Sequence, residues 1–144
     1  MIYFLRHGDA EAGDGDDDAR RLTAKGERQS EAAGRALADL GAEIEVCLSS
    51  PKVRAAETAQ IAAAALGLDV ETVEELRGGP FDSVGLTAGR DDVLLVGHEP
   101  DFSGEVGRRT GANVKLKKGG LAVVDGSTLV ALLRPAELRR IAGL

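Results

Sequence analysis

The sequence predicts an α/β protein, a three-layer αβα sandwich around a mainly parallel central sheet with a hairpin at its end. Three observations support this. Six short segments are rich in Val, Leu and Ile, as buried strands are. Helical patterns alternate with several of them, which favours parallel strands joined by crossover helices. The turn Asp125-Gly126-Ser127 between the last two segments is typical of a hairpin. With 144 residues, we expect one domain over residues 1–144.

The strands and the first helix can be placed from composition and periodicity. In chain order the strands are IYFL, IEVCL, LDVETV, VLLV, LAVVD and TLVALL. The first helix is predicted over residues 23–40, with Thr23 as its N-cap. Its apolar positions repeat at i, i+3, i+4 and i+7, through Ala33, Ala36, Leu37 and Leu40.

A second helix is predicted over residues 51–66, because Ser50 can cap it and Pro51 suits the first helical position. Its mildly apolar face would comprise Ala56, Ala59 or Gln60, Ala63 and the side of Ile61.

Prolines and glycines mark the remaining segments. Pro100 is predicted to open a third helix, and Pro135 a short final one. The segment EAGDGDDDARR is predicted to be a mobile acidic loop. Residues 77–90 contain several glycines and form a second loop region with one short helix.

Charge and composition exclude several classes of protein. A formal net charge of −6 argues against a sequence-independent nucleic-acid binder, which needs a basic face. One cysteine, Cys47, excludes an intramolecular disulfide framework and fits a reducing compartment. The apolar start is too short for a signal peptide, and no stretch is long enough to span a membrane. We therefore expect a cytoplasmic protein.

Both histidines follow predicted strands. His7 comes directly after IYFL, and His98 follows VLLV and Gly97, while the segment after IEVCL leads into the helix that carries Arg54. Ligands in such folds lie at the carboxyl ends of strands, so Arg6, His7, Arg54 and His98 are expected to converge. Two guanidinium and two imidazole groups predict a pocket for an anion such as a phosphoryl group.

Four motifs in this order, LRHGDA, RLTAKG, LSSPKVRAAETA and VLLVGHEP, cover nearly the whole chain. Together they resemble the histidine phosphatase superfamily, which has the phosphoglycerate-mutase-like fold, and its short SixA-type phosphohistidine phosphatases. The resemblance implies that His7 is the nucleophile, that Arg6 and Arg54 bind phosphate, and that His98 is the second motif histidine.

The chemistry of these residue types is consistent with that resemblance. An imidazole attacks phosphorus only when the attacking nitrogen is unprotonated, and burial beside arginines disfavours protonated His7. The other ring nitrogen is expected to donate to a backbone carbonyl near Gly8. Transfer would proceed in line, with Arg6, Arg54 and His98 stabilising the equatorial oxygens, and it would need no metal or cofactor.

The proton donor is the weakest part of the match. Larger relatives carry a glutamate soon after the third strand, and Glu75 is the nearest counterpart. Asp17, shortly before Leu22 and Thr23, is a second candidate, and Asp9 a third.

The sequence therefore predicts a metal-independent phosphatase that uses His7. Because long insertions are lacking, we expect an open site for a phosphorylated protein, most of all a phosphohistidine protein such as a histidine-phosphotransfer domain, with no nucleic-acid or membrane partner. Two alternatives remain: a phosphatase of small-metabolite monoesters, and a non-catalytic phospho-ligand binding module. A metal site of His7, Asp9, His98 and Glu99 is disfavoured because the neighbouring arginines would repel a cation.

Overall fold

The structure, a computed structural model, describes residues 1–13 and 15–144; Asp14, in the predicted acidic loop, lies outside the described residues. The strands are β1 (Ile2–Arg6), β2 (Val46–Ser49), β3 (Val70–Thr72), β4 (Val93–Gly97), β5 (Leu121–Asp125) and β6 (Thr128–Leu133). The α-helices are α1 (Ala24–Asp39), α2 (Val53–Leu66), α3 (Ser83–Leu86), α4 (Asp101–Thr110) and α5 (Pro135–Ile141). No helix within these ranges is long and apolar enough to cross a membrane.

One six-stranded sheet in the order β3-β2-β4-β1-β5-β6 forms the centre of the fold. The first four strands in that order are parallel to their neighbours. Strand β5 runs antiparallel to β1, and β6 returns antiparallel to β5 through the predicted turn. The predicted α/β class and its mainly parallel sheet with a terminal hairpin are confirmed.

Alternating side chains of the central strands face two separate helical layers. On β1, Tyr3 and Leu5 pack into a core with residues of α1, α2 and α5. Phe4 points the other way and packs against Phe102 of α4, with the two rings edge to face and their centroids 5.5 Å apart. Because both faces are covered, the central strands are apolar throughout, as parallel strands usually are.

The start of α2 differs from the prediction. The helix begins at Val53, two residues after Pro51, and its N-cap residue Lys52 has an extended backbone. Ser50 does not cap the helix in the expected way. Instead, its Oγ accepts a hydrogen bond from the backbone N–H of Lys52 at 3.2 Å, which closes a turn before the helix begins. This turn fixes the Ser50 hydroxyl at the carboxyl end of β2.

Two predicted helix faces are also corrected. Leu40 follows the last residue of α1 and is 58% exposed, so it takes no part in the core. On α2 the buried face carries Ala55, Ala59, Ala62 and Ala63, not Ala56 and Gln60. Its phase is set by Arg54 and Thr58, which are one turn apart and both buried.

Candidate active site

The carboxyl ends of β1, β2 and β4 hold the two histidines next to each other. The backbone N–H of His7 donates to the carbonyl of Gly97 at 3.0 Å, and that of Ser50 donates to Val96 at 3.0 Å. The imidazole centroids of His7 and His98 are 5.2 Å apart, and each residue is only 6% exposed. The structure therefore brings these two residues together at one sheet edge.

Two glycines allow the segment after β1 to approach the first turn of α1. A Cβ on Gly8 would lie 2.6 Å from the carbonyl oxygen of Gly26, and a Cβ on Gly26 would lie 2.0 Å from that of Asp9. Neither contact is possible for a residue with a side chain. The Thr23 hydroxyl strengthens this junction, since it accepts from the N–H of Gly26 and donates to the Asp9 carboxylate. The glycines of LRHGDA and RLTAKG thus allow the close packing that fixes the backbone next to His7.

The tautomer of His7 follows from its hydrogen bond. Its Nδ1 lies 2.7 Å from the Gly8 carbonyl oxygen, which can only accept, so Nδ1 carries the ring proton. Burial and, to a smaller extent, the nearby charges of Arg54, Arg6 and Lys118 together lower the pKa of His7 to about 4. At neutral pH the ring is therefore uncharged and its Nε2 holds a free lone pair.

The tautomer of His98 follows from the buried hydroxyl of Ser50. The two groups are joined by a 2.7 Å contact between His98 Nε2 and Ser50 Oγ. Since Ser50 Oγ already accepts from Lys52 N–H, and its own proton has no other acceptor among the described residues, the hydroxyl donates to Nε2. Burial lowers the pKa of His98 to about 3, so its single ring proton lies on Nδ1.

Both arginines are held by carbonyl oxygens on other segments. Arg6 Nη1 donates to the carbonyl of Leu116 at 3.0 Å. Arg54 Nη1 donates to the backbone carbonyl of Asp17 at 2.8 Å, and Nη2 to its carboxylate at 3.2 Å. The Nε atoms of both arginines remain without a partner. Each guanidinium is thus fixed at one end and keeps a donor available.

Three of the unused donors belong to residues around His7: the charges of Arg6 and Arg54 act on its ring, and the His98 ring lies 5.2 Å away. Within the described part of the chain, four buried side-chain polar atoms have no hydrogen-bond partner, and three are Arg6 Nε, Arg54 Nε and His98 Nδ1. Buried donors normally have partners, so a cluster of unpaired ones indicates a ligand with acceptor oxygens. Next to a neutral imidazole with a free nitrogen, these three donors can bind a phosphoryl group and orient it toward that nitrogen.

Two of the three candidate proton donors, Asp17 and Glu75, occupy different positions. Asp17 begins a 3₁₀ turn (Asp17–Ala19), and its carboxylate contacts Arg20, Arg54 and Lys52. The Arg20 and Arg54 hydrogen bonds and charges lower the pKa of Asp17 to about 2, so it is ionised at neutral pH and orients Arg54. Glu75 is exposed, and its side chain makes no hydrogen bond or ion pair among the residues described. In this arrangement neither presents a proton to the site.

The alternative metal site does not form from its four named residues. Asp9 binds Thr23 and Lys118, while Glu99 accepts from the backbone and hydroxyl of Ser103. Over residues 1–13 and 15–144, no three His, Cys, Asp or Glu side chains are grouped to hold a metal ion.

Sequence reasoning missed three supporting contacts. Thr58 accepts from the Gly8 N–H at 3.1 Å and donates to the Arg54 carbonyl, so it ties α2 to the segment after His7. The carbonyl of Leu116 holds Arg6, and Lys118 adds positive charge beside His7. The i, i+4 spacing of Arg54 and Thr58 could have indicated the first of these contacts, that of Thr58. The other two lie about 110 positions from their partners, and no local pattern marks them.

Known proteins share this fold and part of this sequence. The family model described as histidine phosphatase superfamily (branch 1) matches residues 2–84. An uncharacterized protein of Picosynechococcus sp. is 36% identical over 137 residues, covering 83% of this chain and 81% of that protein.

Solved structures extend the similarity over almost the full length. The protein histidine phosphatase SixA in complex with tungstate superposes with a TM-score of 0.82 at 26% identity, covering 95% of this chain and 98% of that one. A candidate SixA phosphohistidine phosphatase from Agrobacterium tumefaciens superposes with a TM-score of 0.84 at 26% identity, covering 93% of this chain and 97% of that one. Phosphoserine phosphatase from Entamoeba histolytica shares the fold. It superposes with a TM-score of 0.65 at 16% identity, covering 92% of this chain and 95% of that one. The chain belongs to the histidine phosphatase superfamily, and its phosphoglycerate-mutase-like fold is that of the SixA structures.

Proposed function

We propose that this protein is a phosphohistidine phosphatase that acts through a phosphoryl intermediate on His7. The observation that carries the proposal is the set of three buried, unpartnered N–H donors beside the free Nε2 of a neutral imidazole. Cations of the protein supply the electrostatic stabilisation that a metal ion supplies elsewhere, so we also propose that the reaction needs no metal.

In the first step His7 Nε2 attacks phosphorus with its lone pair. The bond between phosphorus and the substrate nitrogen breaks, and its electron pair leaves with the substrate imidazole, which takes up a proton from solvent. Arg6 Nε, Arg54 Nε and His98 Nδ1 donate to the equatorial oxygens as charge develops on them. His7 keeps its Nδ1 proton bound to the Gly8 carbonyl, and this contact stabilises the positive charge that forms on the ring.

In the second step water attacks the phosphoryl group on His7. The bond from phosphorus to Nε2 breaks, its electrons return to the imidazole, and inorganic phosphate leaves with the oxygen of water. The P–N bond of phosphohistidine is labile, so little acid assistance to the leaving group is needed. This agrees with a site in which Asp17 is ionised and Glu75 is exposed.

The surroundings of the site favour a phosphoryl group carried on a protein. The connections that form its rim after β2 and β4 are only three residues long, residues 50–52 and 98–100. A small metabolite is normally enclosed by several buried polar contacts. We therefore propose a cytoplasmic phosphoprotein substrate such as a histidine-phosphotransfer domain. Similarity to the SixA structures at 26% identity supports the same class.

Turnover of a substrate panel tests this function. We expect kcat/KM for a phosphorylated histidine-phosphotransfer domain to exceed that for sugar phosphates and phosphoglycerates by about tenfold or more. Addition of EDTA should leave the rate unchanged, because no step needs a metal. A metabolite that is turned over ten times faster than every phosphohistidine protein would favour a metabolite phosphatase. Loss of activity in EDTA that Zn²⁺ or Mn²⁺ restores would contradict metal independence.

Ser50 is expected to act as a positioning residue through the tautomer of His98. Ser50→Ala removes one hydrogen bond, which is worth about 0.5–1.5 kcal/mol, so kcat should fall by about tenfold or less. The ¹⁵N shifts of His98 should show its proton leaving Nδ1 for a mixture of both ring nitrogens. Ser50→Thr keeps a hydroxyl and should restore both signals. Unchanged ¹⁵N shifts in Ser50→Ala would show that Ser50 does not set the tautomer.

A further inference from the structure

A basic groove opens beside the candidate active site. It has a volume of about 620 Å³ and lies between the start of α1, the loop before β5 and α5. Two acidic side chains, Asp9 and Glu137, contribute to its walls. Its basic side chains are Arg6, Lys25, Lys117, Lys118, Arg134 and Arg140.

The groove is joined to the candidate active site through shared backbone. Arg6 belongs to both, and the N–H of Gly119, next to Lys118, donates to the His7 carbonyl at 2.9 Å. On the opposite wall, Gln29 of α1 accepts from the backbone N–H of Asp9 at 2.8 Å. These contacts hold the groove walls at a fixed position relative to His7.

Most of the positive charge in the groove is uncompensated. Asp9 is already 3.5 Å from Lys118, and Glu137 is 2.9 Å from Arg134. Lys25, Lys117 and Arg140 are exposed and, among the residues described, have no carboxylate within 4 Å. The chain as a whole has a formal net charge of −6, so this groove is positively charged although the molecule is acidic.

We propose that this groove is the docking surface for the phosphoprotein substrate, and that it binds a carboxylate-rich surface beside the phosphohistidine. The inference rests on the proposed function, because the same substrate protein must place its phosphoryl group at His7 while its acidic side chains lie in the groove. Complementary charges at the edge of an interface speed the encounter of two proteins and orient them toward each other.

The same observations disfavour other polyanions. A nucleic acid or an anionic membrane presents negative charge over a far larger area than this groove, and the remainder of this acidic chain would repel it. Because exposed lysines and arginines form the rim, the groove is more open than the enclosed sites that usually bind small ligands. An acidic protein surface of limited size fits best.

A charge-reversal variant tests the groove separately from the chemistry. Lys25→Glu with Arg140→Glu should lower kcat/KM by about tenfold at low salt for a histidine-phosphotransfer domain that carries Asp and Glu around its phosphohistidine, mainly through KM. Turnover of p-nitrophenyl phosphate, which carries no acidic protein surface to dock in the groove, should stay within about twofold of the unmodified enzyme. Changing the acidic residues of the carrier to Lys should restore the lost rate.

The control is Arg35→Glu with Arg90→Glu, which changes the net charge equally at two surface ion pairs outside the groove. We expect this variant to process the carrier at nearly the normal rate. An equal loss in the control, an equal loss with p-nitrophenyl phosphate, or no loss with the carrier would each overturn the docking proposal. Tighter binding of a single-stranded oligonucleotide or an anionic vesicle than of the carrier would overturn it as well.

Binding measurements distinguish failure of this proposal from failure of the proposed function. Titration of the acidic carrier into His7→Ala, with and without the two groove substitutions, measures docking without turnover. If the carrier binds through the groove but its phosphohistidine is never hydrolysed by the unmodified enzyme, the proposed function fails and the docking surface stands. If hydrolysis is normal and binding ignores the groove, the docking proposal alone fails.

Discussion

Replacement of His7 by alanine is expected to abolish turnover, with a loss of about 10⁴-fold or more, because no other group replaces an attacking nitrogen. The free Nε2 of this ring is the atom to which phosphorus would be bonded. Rapid quenching of the unmodified protein with labelled substrate should trap an acid-labile, alkali-stable adduct, and the variant should yield none. The fold should persist, since among the described residues the His7 side chain is hydrogen-bonded only to the adjacent Gly8 carbonyl.

His98→Ala is the matched control for that experiment. It removes an imidazole from the same pocket, one that is equally buried, but leaves the His7 lone pair intact. We expect slower formation of the adduct, by about 10²–10³-fold for one lost donor to the developing charge, and not its disappearance. An adduct that survives in His7→Ala and vanishes in His98→Ala would reverse the assignment of the two histidines.

Arg54→Ala is expected to lower kcat/KM by about 10²–10³-fold, because it removes a fixed cationic donor from the transition state. Circular dichroism and thermal unfolding should change little, since the other partners of Asp17, Arg20 and Lys52, remain in place. Inorganic phosphate should also inhibit the variant less strongly, as it would lose the same donor.

Two further measurements make the Arg54 prediction specific. Guanidinium ion in the buffer should restore part of the activity of Arg54→Ala. Arg54→Lys should restore little of the activity, although it keeps the positive charge. A lysine ammonium group lacks the planar fork with which Arg54 binds Asp17 through two donors and keeps a third donor for the phosphoryl group. Near-normal turnover in Arg54→Ala would show that this arginine does not contact the phosphoryl group.

The parts of the site that the sequence predicted correctly all depend on short-range signals. Apolar runs located the strands, and parallel strands end at the same edge of a sheet, so the meeting of His7 and His98 followed from their places after β1 and β4. The acceptor for the His7 ring was expected near Gly8 because a neighbouring residue is always within reach. The assignment of chemistry to these residues came from the family motifs.

Errors arose where a local rule competed with a tertiary contact. Ser50 and Pro51 fit the preferences for a helix start, yet the helix begins at Val53 and the Ser50 hydroxyl binds His98. The identity of a proton donor stays a prediction: Glu75 is exposed, and Arg20 and Arg54 keep Asp17 ionised.

By itself, the sequence determined the fold class and the family, because periodicity and short motifs are properties of neighbouring residues. It also predicted four site residues: Arg6, His7 and His98 at strand ends and Arg54 on the helix after β2. Only the tertiary structure decided which ring nitrogens carry protons, how Arg6 and Arg54 are held, and that a basic groove adjoins the site. Apart from the His7 ring, whose partner is the adjacent Gly8 carbonyl, these depend on groups far apart in the chain, such as Arg6 with Leu116 or Lys25 with Arg140. Hydrogen bonding, burial and electrostatic fields act through space, so their outcome follows only once the backbone has brought such groups together.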